Sequence, residues 1–348
     1  FSEIPDVVMP NVSIASPPKV HAPRRHAKKV SFTSYKKNDV IATRQAYGNA
    51  LAKLAQSDSL VLALDAETSN STFSGNVKEK TPEQFIETFI AEQNMVGVSL
   101  GLSKKGFRTF SSTFAAFLSR AHDQLRMASL SDASLVFCGS HAGVSIGEDG
   151  ASQMGLGDIS MFRNVISSNV FYPSDAVSCE RLTATAKDVE GVTYIRTSRP
   201  KTPVLYSSKE IFPVGEFKVV KQSAKDVAVL CGAGITLHEA LKAYELLKKD
   251  GIHVAVVDIY CIKPFNHVKF AAFVKKHGGK FIVSEDHYKE GGIYEMIAAG
   301  LSDAGLSEGI ESMSLHVSEM PRSGTPDELL SYEGIDAASM VKAVKNIV

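Results

Sequence analysis

The chain has 348 residues, of which 44% are hydrophobic and 22% charged, with equal numbers of acidic and basic side chains. This length suggests about two compact domains. The zero net charge gives no indication of binding to nucleic acid or a membrane surface, and no apolar run reaches the roughly 18–20 residues of a transmembrane helix. The four cysteines lack CxxC spacing, which predicts buried, reduced thiols and a cytoplasmic location.

Residues 1–37 are rich in Pro, Ser, Lys and Arg and include a basic cluster at 24–29. This composition is typical of an extended linker. The chain starts at Phe1, without an initiator methionine or a signal-peptide pattern, so we expect it to be part of a longer polypeptide.

From residue 38 onward, helical and strand-like patterns alternate. Asp39 is placed to cap a helix that runs to about Gln56. Short buried strands are predicted at Ser59–Leu64, Val96–Leu100, Leu135–Cys138 and Val192–Arg196, with helices between them at Pro82–Ala91, Thr113–Leu130 and Asp175–Asp188. This alternation indicates a parallel sheet covered by helices on both faces.

Prolines at 200, 203 and 213 interrupt this alternation, and a second alternation of strands and helices follows. It comprises predicted strands at Val227–Leu230, Val254–Ile259 and Lys280–Ser284, and helices at Leu237–Lys249, Ile293–Leu301 and Ala337–Val344. We therefore predict two α/β domains with mostly parallel sheets, at residues 38–205 and 206–348.

Three runs carry the chemistry. The first is Phe89-Ile90-Ala91-Glu92-Gln93-Asn94-Met95, the second is Ser112-Thr113-Phe114-Ala115-Ala116-Phe117, and the third extends from Gly139-Ser140-His141 to Gln153. In this order they resemble the pyrimidine-binding domain of thiamine-diphosphate enzymes, and most closely that of an animal-type transketolase. The resemblance extends from about Asp39 to Val348, over both predicted domains.

The resemblance implies specific cofactor contacts for three residues. A carboxylate among apolar neighbours loses solvation and holds a proton more readily, which suits Glu92 to hydrogen-bond the ring nitrogen N1′ of thiamine diphosphate. Phe117 is expected to stack on the pyrimidine, with the small Ala115 and Ala116 leaving room for a flat ring. Gln153 is expected in the same pocket.

The resemblance also implies a sugar-phosphate site. His141 and Asp149 are expected to contact substrate oxygens, with Ser71 as a hydroxyl donor. Arginine forks suit phosphate, and the candidates are Arg44, Arg196 and Arg199. We favour Arg196 and Arg44, although the sequence does not separate Arg196 from Arg199. Glu67 stands where relatives usually have Asp, so a contact at that position is in doubt.

The family's diphosphate- and metal-binding segment, a Gly-Asp-Gly followed by Asn, has no counterpart in this sequence. The turn Gly147-Glu148-Asp149-Gly150 does not replace it. We expect no metal ligands in this chain; an N-terminal domain would bind Mg²⁺ (or Ca²⁺) and the diphosphate and complete the site in a homodimer. The expected function is thiamine-dependent ketol transfer between sugar phosphates, with the isolated chain inactive.

Two alternatives remain open. A related thiamine-diphosphate enzyme, such as a 1-deoxyxylulose-phosphate synthase or a dehydrogenase E1β chain, has the same architecture, and a non-catalytic dimerisation or regulatory module is a different class of protein. Gly232-Ala233-Gly234 between a strand and a helix, with Asp258 further on, could indicate a dinucleotide site, but the motif lacks its third glycine.

Overall fold

The computed structural model of the chain describes residues 25–348. The strands in this range are β1 (Val40–Ala42), β2 (Val61–Asp65), β3 (Phe85–Glu87), β4 (Arg108–Phe114), β5 (Leu135–Ser140), β6 (Asn169–Phe171), β7 (Val192–Arg196), β8 (Lys201–Pro203), β9 (Lys218–Lys221), β10 (Val229–Gly232), β11 (Ala255–Asp258), β12 (Cys261–Lys263), β13 (Lys280–Tyr288) and β14 (Glu311–Val317). The helices are α1 (Thr43–Ser57), α2 (Ser69–Thr72), α3 (Gly75–Lys80), α4 (Glu92–Lys104), α5 (His122–Leu130), α6 (Asp158–Arg163), α7 (Ala176–Asp188), α8 (Ile235–Lys249), α9 (His267–Lys276), α10 (Ile293–Asp303), α11 (Pro326–Tyr332) and α12 (Ala337–Ile347).

The first sheet of the described residues has the strand order β12-β6-β7-β5-β4-β2-β3. All its pairs are parallel except β12 with β6. The central strands β2, β5 and β7 are buried along their whole length, as expected for a sheet covered on both faces. Their carboxyl ends therefore meet at one edge, where loops can converge.

The second sheet has the order β14-β13-β10-β11-β9 and is parallel except for β9. It belongs to the C-terminal part of the chain, but β12 from this part pairs with β6 of the first sheet. The largest apolar cluster also contains residues of both parts, such as Phe137 and Val229. The two parts thus share one core.

Local chemistry explains the junction near residue 205. Asp175 begins α7 with a capping box in which its Oδ1 accepts from the Ser178 backbone N–H at 2.7 Å. Its other oxygen accepts from the backbone N–H groups of Leu205 and Tyr206 at 2.8 and 3.0 Å. One carboxylate therefore both starts a helix and fixes the connection into the C-terminal part.

The predicted fold class, two α/β domains with mostly parallel sheets, is confirmed. Two assignments are wrong: Val96–Leu100 lies inside helix α4, and Pro82–Ala91 contains the short strand β3 after a 3₁₀ turn. Of the predicted helix Thr113–Leu130, the first two residues end strand β4 and only His122–Leu130 is α-helical. The other predicted helices and strands are present, with ends that differ by a few residues. Asp39 does not cap the first helix, because strand β1 follows it and Ala42 is the N-cap of α1.

Residues 1–24 of the predicted linker lie outside the described residues. The rest of it lies against the first sheet's domain: the Arg25 guanidinium contacts Asp58 at 2.9 Å, and the Thr33 backbone N–H donates to Glu180. All four cysteines are buried and unpaired, as predicted. Within residues 25–348, no helix is long and apolar enough to cross a membrane.

Candidate active site

The three motif runs meet at the carboxyl edge of the first sheet. Asp65 at the end of β2 is in register with both Glu87 of β3 and Ser112 of β4. Phe114 pairs with Ser140 of β5. The residues that follow these strand ends, among them Glu92, Phe117 and His141, are consequently neighbours in space.

Glu92 is the first residue of α4, and only 3% of it is exposed. Its Oε2 lies 3.1 Å from the Nε of Arg120, close enough for an ion pair. Among the described residues that oxygen nevertheless accepts no hydrogen bond, because the alignment with Arg120 is poor. A buried carboxylate oxygen without a hydrogen bond is costly unless a ligand supplies the donor.

Arg120 was not selected from the sequence. It lies three residues after Phe117, on the 3₁₀ turn Phe117–Ala121, and 64% of its side chain is exposed. Its contact with Glu92 places the Phe117 turn directly beside the carboxylate. The spacing from Phe117 was the available signal, but a lone arginine is usually a surface charge.

Three rings stack at this edge of the sheet. Phe114 lies between Phe117, at 5.0 Å between ring centroids, and His141, at 4.0 Å, with interplanar angles of 13° and 15°. Offset stacks of this kind hold rings in fixed orientations. Phe117 is only half-buried, whereas Phe114 and His141 are buried, so Phe117 forms the accessible end of the stack.

His141 follows β5 with a left-handed backbone conformation, φ 57°. Its Nδ1 is 2.8 Å from the hydroxyl of Ser140. Burial, reinforced by the charges of Arg44 and Arg199, lowers the pKa of His141 to about 3. The ring is therefore neutral near pH 7 and acts as a hydrogen-bonding group without a charge.

Arg44 and Ser71, two of the candidates for the sugar-phosphate site, are in contact. The Arg44 Nη1 donates to the backbone carbonyl of Ser71 at 2.8 Å, and the guanidinium carbon lies 5.2 Å from the centre of the Phe73 ring. The Arg44 Nε is buried and makes no hydrogen bond to the described residues. Burial and the nearby Arg199 lower the pKa of Arg44, as expected for two cations that face one another.

Asp65 organises the loop that carries Ser71, a role not recognised in the sequence. Its carboxylate accepts from the backbone N–H of Thr68 at 2.6 Å and from the hydroxyls of Thr72 and Ser74, both at 2.7 Å. Burial raises the pKa of Asp65 to about 6 despite these donors. The following Glu67 is exposed, and its φ is 63°; its backbone N–H donates to Glu87.

Arg196, one of the two favoured phosphate ligands, is placed elsewhere. Its side chain is 0% exposed and pairs with Asp158 at 2.8 Å and with Asp286 at 2.7 Å. Two backbone carbonyls, of Gly155 and Asp286, accept from its Nη2. The preference for Arg196 as a phosphate ligand is therefore not supported, since all three guanidinium nitrogens already donate to the protein and the side chain is fully buried.

Arg199 is the better placed of the two arginines. Its side chain is 36% exposed, and its Nη1 donates to the carbonyl of Ile146 at 2.7 Å. The same nitrogen lies 3.4 Å from Asp149 and 3.7 Å from Glu148. Since Arg199 acts electrostatically on both Arg44 and His141, the two arginines form one positively charged cluster, with the neutral His141 and Asp149 beside it.

Gln153 ends the 3₁₀ turn Ala151–Gln153 and is half-buried. The residues after it, Met154 and Gly155, line a cavity of about 540 Å³ together with Ala115 and Ala116. The small residues next to Phe117 thus border open space, as the sequence predicted for a flat ring.

The residues present fit the pyrimidine part of thiamine diphosphate: the buried Glu92 oxygen has only the ion pair with Arg120 and accepts no hydrogen bond from the described residues, and the half-exposed Phe117 ring lies near it. The cavity lies next to Phe117 along the chain, at Ala115 and Ala116, although neither Glu92 nor Phe117 lines it. The described residues do not offer a corresponding fit for the metal ion that accompanies the diphosphate. In the part of the chain from residue 25 onward, no group of three or more His, Cys, Asp or Glu side chains is arranged to hold a metal ion.

The dinucleotide alternative is not supported. A Cβ at Gly232 would lie 2.7 Å from the Leu237 backbone nitrogen, and one at Gly234 would lie 2.1 Å from the Tyr172 ring. Both glycines are thus required by packing within the protein. Asp258 is fully buried and hydrogen-bonded to Ser174 and Tyr206, so it cannot reach a ribose.

Comparisons with known proteins identify both parts of the chain. Residues 39–204 match the family "Transketolase, pyrimidine binding domain", and residues 215–340 match "Transketolase, C-terminal domain". The chain is 50% identical over 337 residues to transketolase-like protein 2 of Mus musculus, covering 95% of this chain and 53% of that protein. It is 46% identical over 340 residues to the transketolase of Homo sapiens, covering 96% and 54%.

A solved structure described as "Split gene transketolase, inactive beta4 tetramer" has a TM-score of 0.79 and 31% identity, with 88% of this chain and 98% of that chain covered. The fold, the site and these matches define a transketolase-type thiamine-diphosphate fold. The chain belongs to the transketolase family, and it spans about half the length of the curated relatives that it matches.

Proposed function

We propose that the chain is the pyrimidine-binding and C-terminal part of a transketolase, which moves a two-carbon ketol unit from a ketose phosphate to an aldose phosphate. The observation that carries the proposal is the buried Glu92 carboxylate, whose Oε2 accepts no hydrogen bond within residues 25–348. Family membership and the half-exposed Phe117 next to this carboxylate give further support.

In this proposal Glu92 hydrogen-bonds the ring nitrogen N1′ of thiamine diphosphate and exchanges a proton with it. Its position as the first residue of α4, almost fully buried, fixes the carboxylate beside the Phe117 turn. Phe117 stacks on the pyrimidine, and Gln153 lies in the same pocket. When bound, the cofactor supplies the carbon nucleophile that adds to the ketose carbonyl.

Arg44 and Arg199 bind the substrate phosphate, because both guanidinium groups belong to the positive cluster and retain donors for an anion. His141 is neutral and contacts a substrate oxygen. Ser71 and Asp149 hydrogen-bond substrate hydroxyls. Arg196 instead holds the fold that carries Arg199.

Further parts complete the site in this proposal. Phe89 and Ile90, which precede Glu92, are 68% and 73% exposed, which supports a partner surface over this edge. A diphosphate-binding domain with the ligands for Mg²⁺ or Ca²⁺ would cover them in a homodimer located in the cytoplasm. The isolated chain would then be inactive, and the "inactive beta4 tetramer" title of a related structure is consistent with this expectation.

The test combines the chain with a diphosphate-binding N-terminal half from a related transketolase and measures ketol transfer. Glu92→Gln should reduce the rate about 10²–10⁴-fold, since it removes a positioned acid–base group. The exposed Glu83, nine residues earlier in the chain, serves as the control, and Glu83→Gln should retain activity. Undiminished transfer by the Glu92 variant would refute its role. Turnover of 2-oxo acids and not of sugar phosphates would favour a dehydrogenase E1β chain.

A further inference from the structure

The loop that carries Asp149 and Gln153 rests on the C-terminal domain. Four apolar side chains of this first-domain loop are buried in one cluster with five from the C-terminal part; the members are Val144, Ile146, Met154 and Leu156, and Ile235, Val317, Leu329, Leu330 and Ile335. Burial of apolar area is the main term that holds irregular backbone in place. The C-terminal domain therefore determines the conformation of this loop.

The loop approaches the C-terminal domain so closely that position 147 favours glycine. Gly147 has φ 86°, and a Cβ on it would lie 3.2 Å from the carbonyl oxygen of Gly324 and 3.3 Å from Cδ of Pro326. Gly150 has φ 83° and lies next to the Ser323 hydroxyl. Both ends of the turn 147–150 are therefore adapted to the segment 322–326.

One hydrogen bond joins the turn 147–150 directly to the segment 322–326. The Ser323 hydroxyl donates to the backbone carbonyl of Glu148 at 2.5 Å. On the other side of the turn, Arg199 donates to the carbonyl of Ile146 and lies 3.4 Å from Asp149. The turn is thus held between an arginine of the proposed phosphate site and a serine of the C-terminal domain.

This arrangement matters because Glu148 and Asp149 carry negative charge next to Arg199. Their distance from the guanidinium decides how much of its charge remains for a phosphate dianion. If the turn moved closer to Arg199, its two carboxylates would compensate the positive charge of the guanidinium. If it moved away, Asp149 would no longer reach the substrate hydroxyls.

We propose that Ser323 is a positioning residue for the sugar-phosphate site, and that through it the C-terminal domain sets the preference for phosphorylated over unphosphorylated sugars. This inference rests on the proposed function. Ser323 acts through the turn 147–150, which it fixes relative to Arg199, and it does not touch substrate.

The first test does not depend on substrate. Backbone hydrogen exchange in residues 146–153 is compared, by mass spectrometry, among the unaltered chain, Ser323→Ala, Ser323→Thr and Ser331→Ala. Loss of one hydrogen bond of about 1 kcal/mol should speed exchange roughly fivefold in Ser323→Ala. Ser323→Thr keeps the hydroxyl and should restore the rate, and Ser331→Ala, at an exposed position of α11, should leave it unchanged. Equal exchange in Ser323→Ala and Ser331→Ala overturns the positioning role.

The second test uses the complemented enzyme with a ketose phosphate and the matching unphosphorylated ketose. Ser323→Ala should raise KM for the phosphorylated sugar about fivefold, with kcat within about twofold and KM for the free sugar unchanged. Gly147→Ala, whose methyl group would press the turn away from the same segment 322–326, should reproduce this split. If the unaltered enzyme converts neither sugar, the proposed function fails. If it converts both and Ser323→Ala shows no KM difference, the inference alone is overturned.

Discussion

Arg196 and Arg199 lie three residues apart, and the structure gives them opposite roles that a pair of substitutions can separate. Arg196→Met keeps most of the side-chain volume but removes the charge. It leaves the buried carboxylates of Asp158 and Asp286 without their partner, because both ion pairs, at 2.8 and 2.7 Å, are lost together. Arg199→Met removes a partly exposed cation whose nearest carboxylate is 3.4 Å away.

The size of the two effects follows from burial. Breaking a fully buried ion pair by removing one partner destabilises a protein by about 3–5 kcal/mol, because the remaining charge is buried and unpaired. Although burial alone would raise it, the charge of Arg196 holds the pKa of Asp158 below its usual value. Arg196→Met should therefore lower the free energy of unfolding by about 3–5 kcal/mol, while an exposed pair such as that of Arg199 contributes about 0–1 kcal/mol.

The assay is urea unfolding of both variants, followed by the substrate dependence of ketol transfer in the complemented enzyme. Arg199→Met should unfold like the unaltered chain but require much more sugar phosphate for half-maximal rate. An Arg196→Met protein with unchanged stability and a raised KM would refute this reasoning. It would show that Arg196 is the phosphate ligand, as the sequence alone had favoured.

Two further predictions concern a buried acid and an aromatic ring. Burial raises the pKa of Asp258 from 3.8 to about 7, so the stability due to its protonated form is complete below about pH 4 and is lost as pH rises through 7. The change is at most about 4 kcal/mol. Between pH 4 and 7.5, the free energy of unfolding measured in urea should change by up to about 4 kcal/mol less in Asp258→Asn than in the unaltered chain. Identical pH profiles of the two proteins would contradict the assignment. Phe117→Ala should weaken thiamine diphosphate binding in the complemented enzyme about tenfold; a cofactor titration of activity that does not shift would exclude the stack.

Several elements were predictable because their local signals agree. Strand Val192–Arg196 was predicted with its observed ends, and the helix predicted at Asp175–Asp188 is Ala176–Asp188, with Asp175 as its N-cap. The wrong strand assignment at Val96–Leu100 arose because a short apolar run fits either a strand or a buried helix. Phe85–Glu87 was missed as a strand because it is formed by pairing with β2, a contact distant in sequence.

The site residues also divide into those that the sequence could predict and those that depend on distant contacts. Glu92, Phe117 and His141 could be selected from sequence runs that resemble a family, and the sheet then places them at one edge. The choice between Arg196 and Arg199 could not be made, because burial depends on Asp286, ninety residues away along the chain. Ser323 offered no signal, since its partner is a backbone carbonyl.

The strand Cys261–Lys263 has a consequence for any attempt to dissect the chain. Although two family descriptions divide the sequence near residue 210, this strand from the later part closes the edge of the earlier sheet beside Asn169–Phe171. A protein truncated at that boundary would expose a row of unpaired amides and carbonyls, a template for intermolecular association. The two halves would therefore have to be produced as a single polypeptide, because neither is an excisable module.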